Sequence, residues 1–334
     1  MTSAKERNTY FDFLRGLAII MVVGIHTFPA ESVSIDTVHG LISIVVRQIL
    51  NAAVPIFLAI SGFFIANRDY SMGSHRHIDF LKRQVKKIYI PALIYSIPWF
   101  LLDFHANPEN IGIKIANYTF CGYSIYYFVA LIVQYYILSP LLARINNSGG
   151  VILTTLLSTI SILLITYLLK IKHFAIPLLV YAGPFPVWIA FFFQGMYFSK
   201  HPYKGTLLYP AIASIIGLAL SVAEHMYWSS QGSMAFGIKL SSFIFSGCLI
   251  WLLFSTRFQH NFCDNALTKA INYIGGISFG MYLLHMYVVT IVNSYLSVEN
   301  WIIDWCCVLL LTIGIIYITK LVIPTLSKKY LGFK

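Results

Sequence analysis

The chain of 334 residues is 58% apolar and only 10% charged, with a mean hydropathy of +0.75. Soluble domains carry about 25% charged residues, so a soluble globular protein is excluded and an all-α, polytopic membrane protein is indicated. The formal net charge of +11 would suit a nucleic-acid partner, but the cations follow a topological pattern and no nucleic acid is expected.

The first apolar run, Tyr10–Phe28, is long enough to span a bilayer and carries Asp12, Arg15 and His26. An Arg at the middle of a spanning helix costs about 2.5–3.5 kcal/mol on insertion scales. The early Asp and Arg, with no small-x-small cleavage site following, read as a retained helix and not a signal peptide. Arg15 and His26 are eleven residues apart, which is three turns plus about 20° of a helix and roughly 16 Å along its axis. Asp12 precedes Arg15 by one turn, so one stripe carries an acid, a cation and an imidazole. His26 would act as a general base or itself accept an acyl group. The alternative is that Arg15 snorkels to the inner headgroups and His26 sits in the outer interface.

Further spanning runs are expected at Leu41–Ile65, Ile88–Leu102, Tyr123–Leu142, Val151–Leu169, Ala175–Phe198, Thr206–Val222, Leu240–Phe254, Ile271–Tyr295 and Trp301–Ile323. That makes about ten helices with both termini on one side, in a single domain over residues 1–334. With that side cytoplasmic, the inside segments hold Lys5, Arg7, Arg68, Arg76, Lys82, Arg83, Lys86, Lys87, Arg144, Lys200, Lys204, Arg257, Lys269, Lys320, Lys328, Lys329 and Lys334. The outside loops hold Lys114, Lys170 and Lys172, with Lys239 at a boundary. This positive-inside bias is that of a bacterial inner-membrane protein in contact with lipid.

The second run holds Arg47, Asn51, Pro55 and the pair Ser61-Gly62. Pro55 is expected to kink the middle of this helix, and Gly62 to permit close helix approach. Arg47, at about the level of His26, would hold an anionic acceptor such as a lipid pyrophosphate, or is a flank charge. The segment between the second and third runs is basic, and its second half is expected to form an interfacial helix. Arg83 and Lys86 lie one turn apart there and would clamp one phosphate, either of an inner-leaflet headgroup or of a phosphorylated cytosolic ligand.

Three later residues carry more than one reading each. Tyr127 and Tyr135 line an acceptor path or simply pack. His285 is a second acid/base, a substrate hydrogen-bonder or a buried imidazole satisfied by a neighbour. Trp99, Trp188, Trp228 and Trp301 read as an interfacial belt. The five cysteines contain no CxxC pair, so neither a disulfide framework nor a zinc site is indicated.

The motifs Phe11-Asp-x-x-Arg-Gly16, Pro55-x-Phe-x-x-x-Ser-Gly-Phe63, the basic segment ending in Pro91, Tyr126-Tyr-Phe-x-x-Leu-x-x-x-Tyr135 and Gly276-Ile-Ser-Phe-Gly-Met-Tyr-Leu-Leu-His285 together resemble the membrane-bound acyltransferase-3 family. Two departures stand out. Lys86 replaces the usual second Arg, which removes bidentate geometry, and Tyr126 or Tyr127 stands where the family has Trp. The resemblance implies transfer of an acyl group, usually acetyl, from cytosolic acyl-CoA to a hydroxyl of a surface polysaccharide, glycolipid or lipid-linked sugar. Acyl-CoA would be a donor substrate, with no permanently bound cofactor and no metal. It implies catalytic roles for His26, Arg15 and Asp12, cofactor contacts from Arg83 and Lys86, and acceptor contacts from Arg47, Tyr127, Tyr135 and His285. Competing readings are a transporter or flippase for a lipid-linked precursor and a non-catalytic subunit in which His26 is replaceable. The sequence leaves the oligomeric state open, a homo-oligomer included.

Overall fold

The computed structural model describes residues 8–29, 37–68, 71–106, 108–232, 237–263, 265–295 and 300–333. Lys5, Arg7 and Lys334 of the charge pattern lie outside the described residues. Among those residues the regular structure is entirely helical. In chain order the helices are α1 (Thr9–Thr27), α2 (Val38–Leu50), α3 (Ala53–Ile65), α4 (His75–Ala106), α5 (Ile111–Thr119), α6 (Tyr127–Arg144), α7 (Ser148–Thr166), α8 (Leu178–Ala182), α9 (Phe185–Lys200), α10 (Leu208–Ser230), α11 (Leu240–Leu253), α12 (Thr256–His260), α13 (Ala266–Tyr295), α14 (Trp301–Val322) and α15 (Pro324–Tyr330). A 3₁₀ turn, Ser124–Tyr126, leads into α6, and a π-helical turn, Tyr167–Ile171, extends α7.

Among the described residues, eight helical segments are long and apolar enough to cross a membrane. Two of the ten expected spans instead fall on shorter helices, α9 of 16 residues and α11 of 14. Large apolar side chains such as Leu102, Ile152, Ile160, Ile215, Leu310 and Leu321 are exposed around the outside. That exposure fits a lipid-facing surface, where apolar groups meet acyl chains instead of water.

α1 sits at the centre because it is apolar around most of its circumference. Asn8 caps its start, accepting from Phe11 N at 3.4 Å, and the helix packs against α13, α3, α14 and α2. Two glycines set its closest contact. A Cβ on Gly275 would fall 1.9 Å from the Asp12 carbonyl oxygen, and one on Gly16 would fall 2.1 Å from that of Ile271. α1 and α13 therefore touch backbone to backbone, as small residues allow in membrane bundles. A second seam joins α3 to α9. There a Cβ on Gly62 or on Gly195 would lie 1.9 Å from the carbonyl oxygen of Phe192 or Ala59, respectively. The close approach expected at Ser61-Gly62 is thus present.

Two expectations are corrected. The second run is not one helix kinked at Pro55: it breaks at Asn51-Ala52, and Pro55 lies in the first turn of α3. The reason is polar. The Asn51 side chain turns back into its own preceding turn, donating to Gln48 Oε1 at 3.0 Å and accepting from Arg47. Pro55 suits an opening turn, where a missing N–H leaves no bond unmade. The basic segment, in turn, is not a separate interfacial helix. It is the first half of α4, a continuous helix of 32 residues that passes through Pro91 and Pro98. α4 docks on α6 where His77 Nε2 meets the Tyr136 carbonyl at 3.1 Å and the Phe80 and Tyr136 rings lie 5.4 Å apart.

Candidate active site

The polar stripe of α1 faces a cavity of about 610 Å³. Its wall comes from α1 (Arg15, His26), α2 (Arg47), the break after it (Asn51), α3 (Ser61), α6 (Tyr127, Tyr136), α11 (Ser242, Ser246) and α13 (Ser278, Tyr282), with Lys170 from the π-helical turn. Apolar side chains, among them Phe57, Phe128, Ile132 and Trp188, fill the stretches between these polar groups.

Arg15 is oriented from two sides. Its Nη1 donates to Asp12 Oδ1 at 2.7 Å, and its guanidinium lies 5.0 Å from the Phe64 ring centroid. Asp12 is buried behind it with 7% side-chain exposure, while Arg15 keeps 33% toward the cavity. Asp12 thus holds Arg15 and does not itself line the space. A guanidinium so fixed is suited to bidentate contact with phosphate or carboxylate.

His26 lies in the last turn of α1 with its ring against that of His285, centroids 5.4 Å apart. His285 is fully buried and outside the cavity wall. Its Nδ1 is 2.9 Å from the Met281 carbonyl. A carbonyl only accepts, so Nδ1 carries the proton and Nε2 is left as an acceptor. That Nε2 is buried without a hydrogen-bond partner among the described residues. His285 is therefore placed to act on His26 and not to touch a molecule in the cavity.

Arg47, part of the wall although only 7% exposed, anchors a polar shell that runs behind it. Its guanidinium donates to Asn51 Oδ1, and Asn51 Nδ2 donates to Ser242 Oγ at 3.3 Å as well as to Gln48. Ser221 Oγ donates to Gln48 Oε1 at 3.0 Å and lies 3.1 Å from Ser242 Oγ. The shell thereby ties α2 to α10 and α11.

The remaining expected site residues separate into two groups. Tyr127 lines the cavity. Tyr135 does not: its hydroxyl donates to the Phe185 carbonyl at 2.7 Å and its ring stacks on Phe192 with centroids 4.5 Å apart. Arg83 and Lys86 are exposed on α4 and also lie off the cavity wall, although Ile88, two residues past Lys86, is part of it. Trp188, expected in an interfacial belt, is 5% exposed and forms part of the wall, with Nε1 donating to the Ala182 carbonyl at 2.8 Å.

Sequence reasoning missed the roles of Asn51, Lys170, Ser242 and Tyr282. A signal existed for one of them: Ser242 and Ser246 recur at i, i+4 on the otherwise apolar α11, which marks one polar face. Lys170 reads as an ordinary loop cation until the π-helical turn sets it against the cavity.

The family model for an acyltransferase domain, the acyltransferase-3 type, matches residues 8–321. The chain belongs to this family. Its helices, its central α1 and the Arg15–His26 stripe therefore sit within an acyltransferase-3 domain. An amino-acid racemase from Enterococcus faecalis is 28% identical over 159 residues, which is 46% of this chain and 22% of that protein. The match thus spans less than a quarter of the racemase's length. No solved structure matches.

Proposed function

We propose that the protein transfers an acetyl group, or another short acyl group, from cytosolic acyl-CoA to a hydroxyl of a surface polysaccharide, glycolipid or lipid-linked sugar at the bacterial inner membrane. The observation that carries this reading is that Arg15 and His26, on one face of one helix, border the same cavity. In length and in its first two helices the chain resembles the enterobacterial common antigen O-acetyltransferase, which favours an O-acetyl product. Membership of an acyltransferase family favours transfer over transport.

In this scheme the exposed cations Arg83 and Lys86 meet the CoA phosphates at the cytosolic surface, and the acyl-bearing arm enters past Ile88. Arg15, about 16 Å from His26 along α1, holds the donor's arm and not the reacting carbonyl. His26 accepts the proton of the acceptor hydroxyl as that oxygen attacks the thioester carbonyl. The carbon–sulfur bond breaks, an ester forms, and the proton passes to the CoA thiolate. A two-step variant, in which His26 is acylated first, uses the same residues.

The test is transfer from labelled acetyl-CoA to glycan or glycolipid by purified protein supplied with a membrane extract. Labelled product that disappears in His26→Ala supports the scheme. Transfer undiminished in both His26→Ala and Arg15→Ala removes the proposed site.

A further inference from the structure

Arg15 marks one end of the cavity, and the opposite end has a different character. Arg47 and Lys170 both line it, from α2 and from the π-helical turn after α7. π-helical turns re-aim a side chain at some cost in hydrogen-bond geometry and are found disproportionately at functional sites. Lys239 stands one layer back, fully buried, with Nζ donating to Ser221 Oγ at 2.8 Å and to the Ser221 carbonyl. Ser221 in turn meets Ser242, which is on the wall. Glu224, Arg47 and Lys170 are all close enough for their charges to act on Lys239, and Glu224 also acts on Lys170. Glu224 belongs to the same shell, accepting from Ser241 N at 2.9 Å and from Trp228 Nε1 at 3.3 Å. Within this shell Gln48 Nε2 is a fully buried donor with no hydrogen-bond partner among the described residues.

Three cations from three separate segments cost much to hold in an apolar bundle. Against the single carboxylate of Glu224, three cations leave a net positive potential at one end of a space that is apolar in its middle. We infer that this end is a subsite for a phosphoryl anion carried on an apolar chain, with Arg47 and Lys170 as its direct ligands and Lys239 as the charge behind them. Taken with the acyl-transfer reading, this makes the acceptor a lipid phosphate or diphosphate and not a neutral glycan. The neighbouring apolar wall of Trp188, Leu178 and Phe243 suits the first carbons of such a chain.

The experiment measures binding to the full chain in nanodiscs of phosphatidylcholine, with farnesyl diphosphate, farnesol and inorganic pyrophosphate as probes. Farnesyl diphosphate is expected to bind about tenfold or more tightly than farnesol, the scale of one charge-assisted hydrogen bond. Arg47→Gln and Lys170→Gln are each expected to remove most of that difference while leaving farnesol unchanged. Lys170 is only partly buried, so its variant keeps the test alive if Arg47→Gln does not fold, and Lys170→Arg is expected to restore the difference. Competition by inorganic pyrophosphate supports the assignment. Equal affinity for farnesol and its diphosphate overturns it, as does an unaltered Lys170→Gln. Displacement of the probe by an equal fraction of phosphatidylglycerol would mark an ordinary headgroup site and also overturn it. Acyl-CoA binding is measured in the same preparation. Diphosphate binding without acyl-CoA binding would sink the transferase reading and leave this subsite standing.

Discussion

His26 and His285 each lie ten residues beyond a seam glycine, Gly16 on α1 and Gly275 on α13, and their rings meet with centroids 5.4 Å apart. Equal offsets on two helices running in the same direction bring the two imidazoles to one level, about 15 Å from the seam. Main-chain contact at the glycines thereby sets side-chain contact at the site.

The seam is the first place to test this. Gly275→Ala would put a methyl carbon 1.9 Å from the Asp12 carbonyl oxygen, which only a shift of α1 relieves. Overpacking of this kind costs about 1–3 kcal/mol, and transfer should fall with it. Gly314→Ala is the control, because nothing lies within 4 Å of its added carbon. Thermal unfolding in detergent should separate the two variants, and equal melting would remove the seam argument.

His26→Ala should lower the transfer rate by about 10²–10⁴-fold, the range for a lost general base, with unchanged expression and elution. If His26 is instead acylated, rapid quenching of the wild type with labelled acetyl-CoA should trap a burst of protein-bound label. That burst should vanish in His26→Ala.

In the proposed scheme His285 would act through His26, whose ring lies against its own, so His285→Ala should reduce kcat and leave KM for acyl-CoA near its original value. A purely structural loss would reduce the amount of active protein without moving the pH profile of kcat. The expectation here is a displaced pH profile, partly restored in His285→Gln, which keeps an acceptor next to His26.

Asp12→Asn keeps the size of the side chain and removes the charge that holds Arg15. Because Arg15 is one-third exposed and its ion pair partly solvated, stability should change little. The cost should fall on orientation: a higher KM for acyl-CoA, approaching that of Arg15→Gln. An unaltered KM in Asp12→Asn would detach Asp12 from the site.

The exposed pair on α4 is tested with the donor. Arg83→Gln with Lys86→Gln should raise KM for acetyl-CoA several-fold at low salt and less at high salt, since surface charge contacts are screened. With 3′-dephospho-acetyl-CoA the wild type should already resemble the double variant. If both donors respond equally, these cations do not read the phosphate.

Much of this arrangement is legible in the sequence because membranes restrict it. Charge bias and apolar run length mark out the bundle, and α1 declares its stripe because Asp12, Arg15 and His26 are costly in an apolar helix. The seam at Gly62 is equally visible as a small-residue pair. The break at Asn51 is not, because it depends on a side chain bonding back to Gln48 and on a serine of α11. Tyr135 and Tyr127 look alike in sequence. Only packing decides that one stacks on Phe192 while the other borders the cavity. Lys170 is hidden for a similar reason, since a single π-helical turn determines where it points.

α4 has a further consequence. At 32 residues a straight helix is about 48 Å long, whereas the hydrocarbon core of a bilayer is about 30 Å thick. The excess has to stand in water or headgroups, and the turn bearing Lys82, Arg83, Lys86 and Lys87 is the part suited to do so. The helix then works as a depth gauge, fixing how far Ile88 and the cavity it lines sit below the lipid surface. Bilayer thickness becomes a control variable: a thicker membrane would draw the basic turn toward the acyl chains and hinder a water-borne donor, and a thinner one would lift it clear.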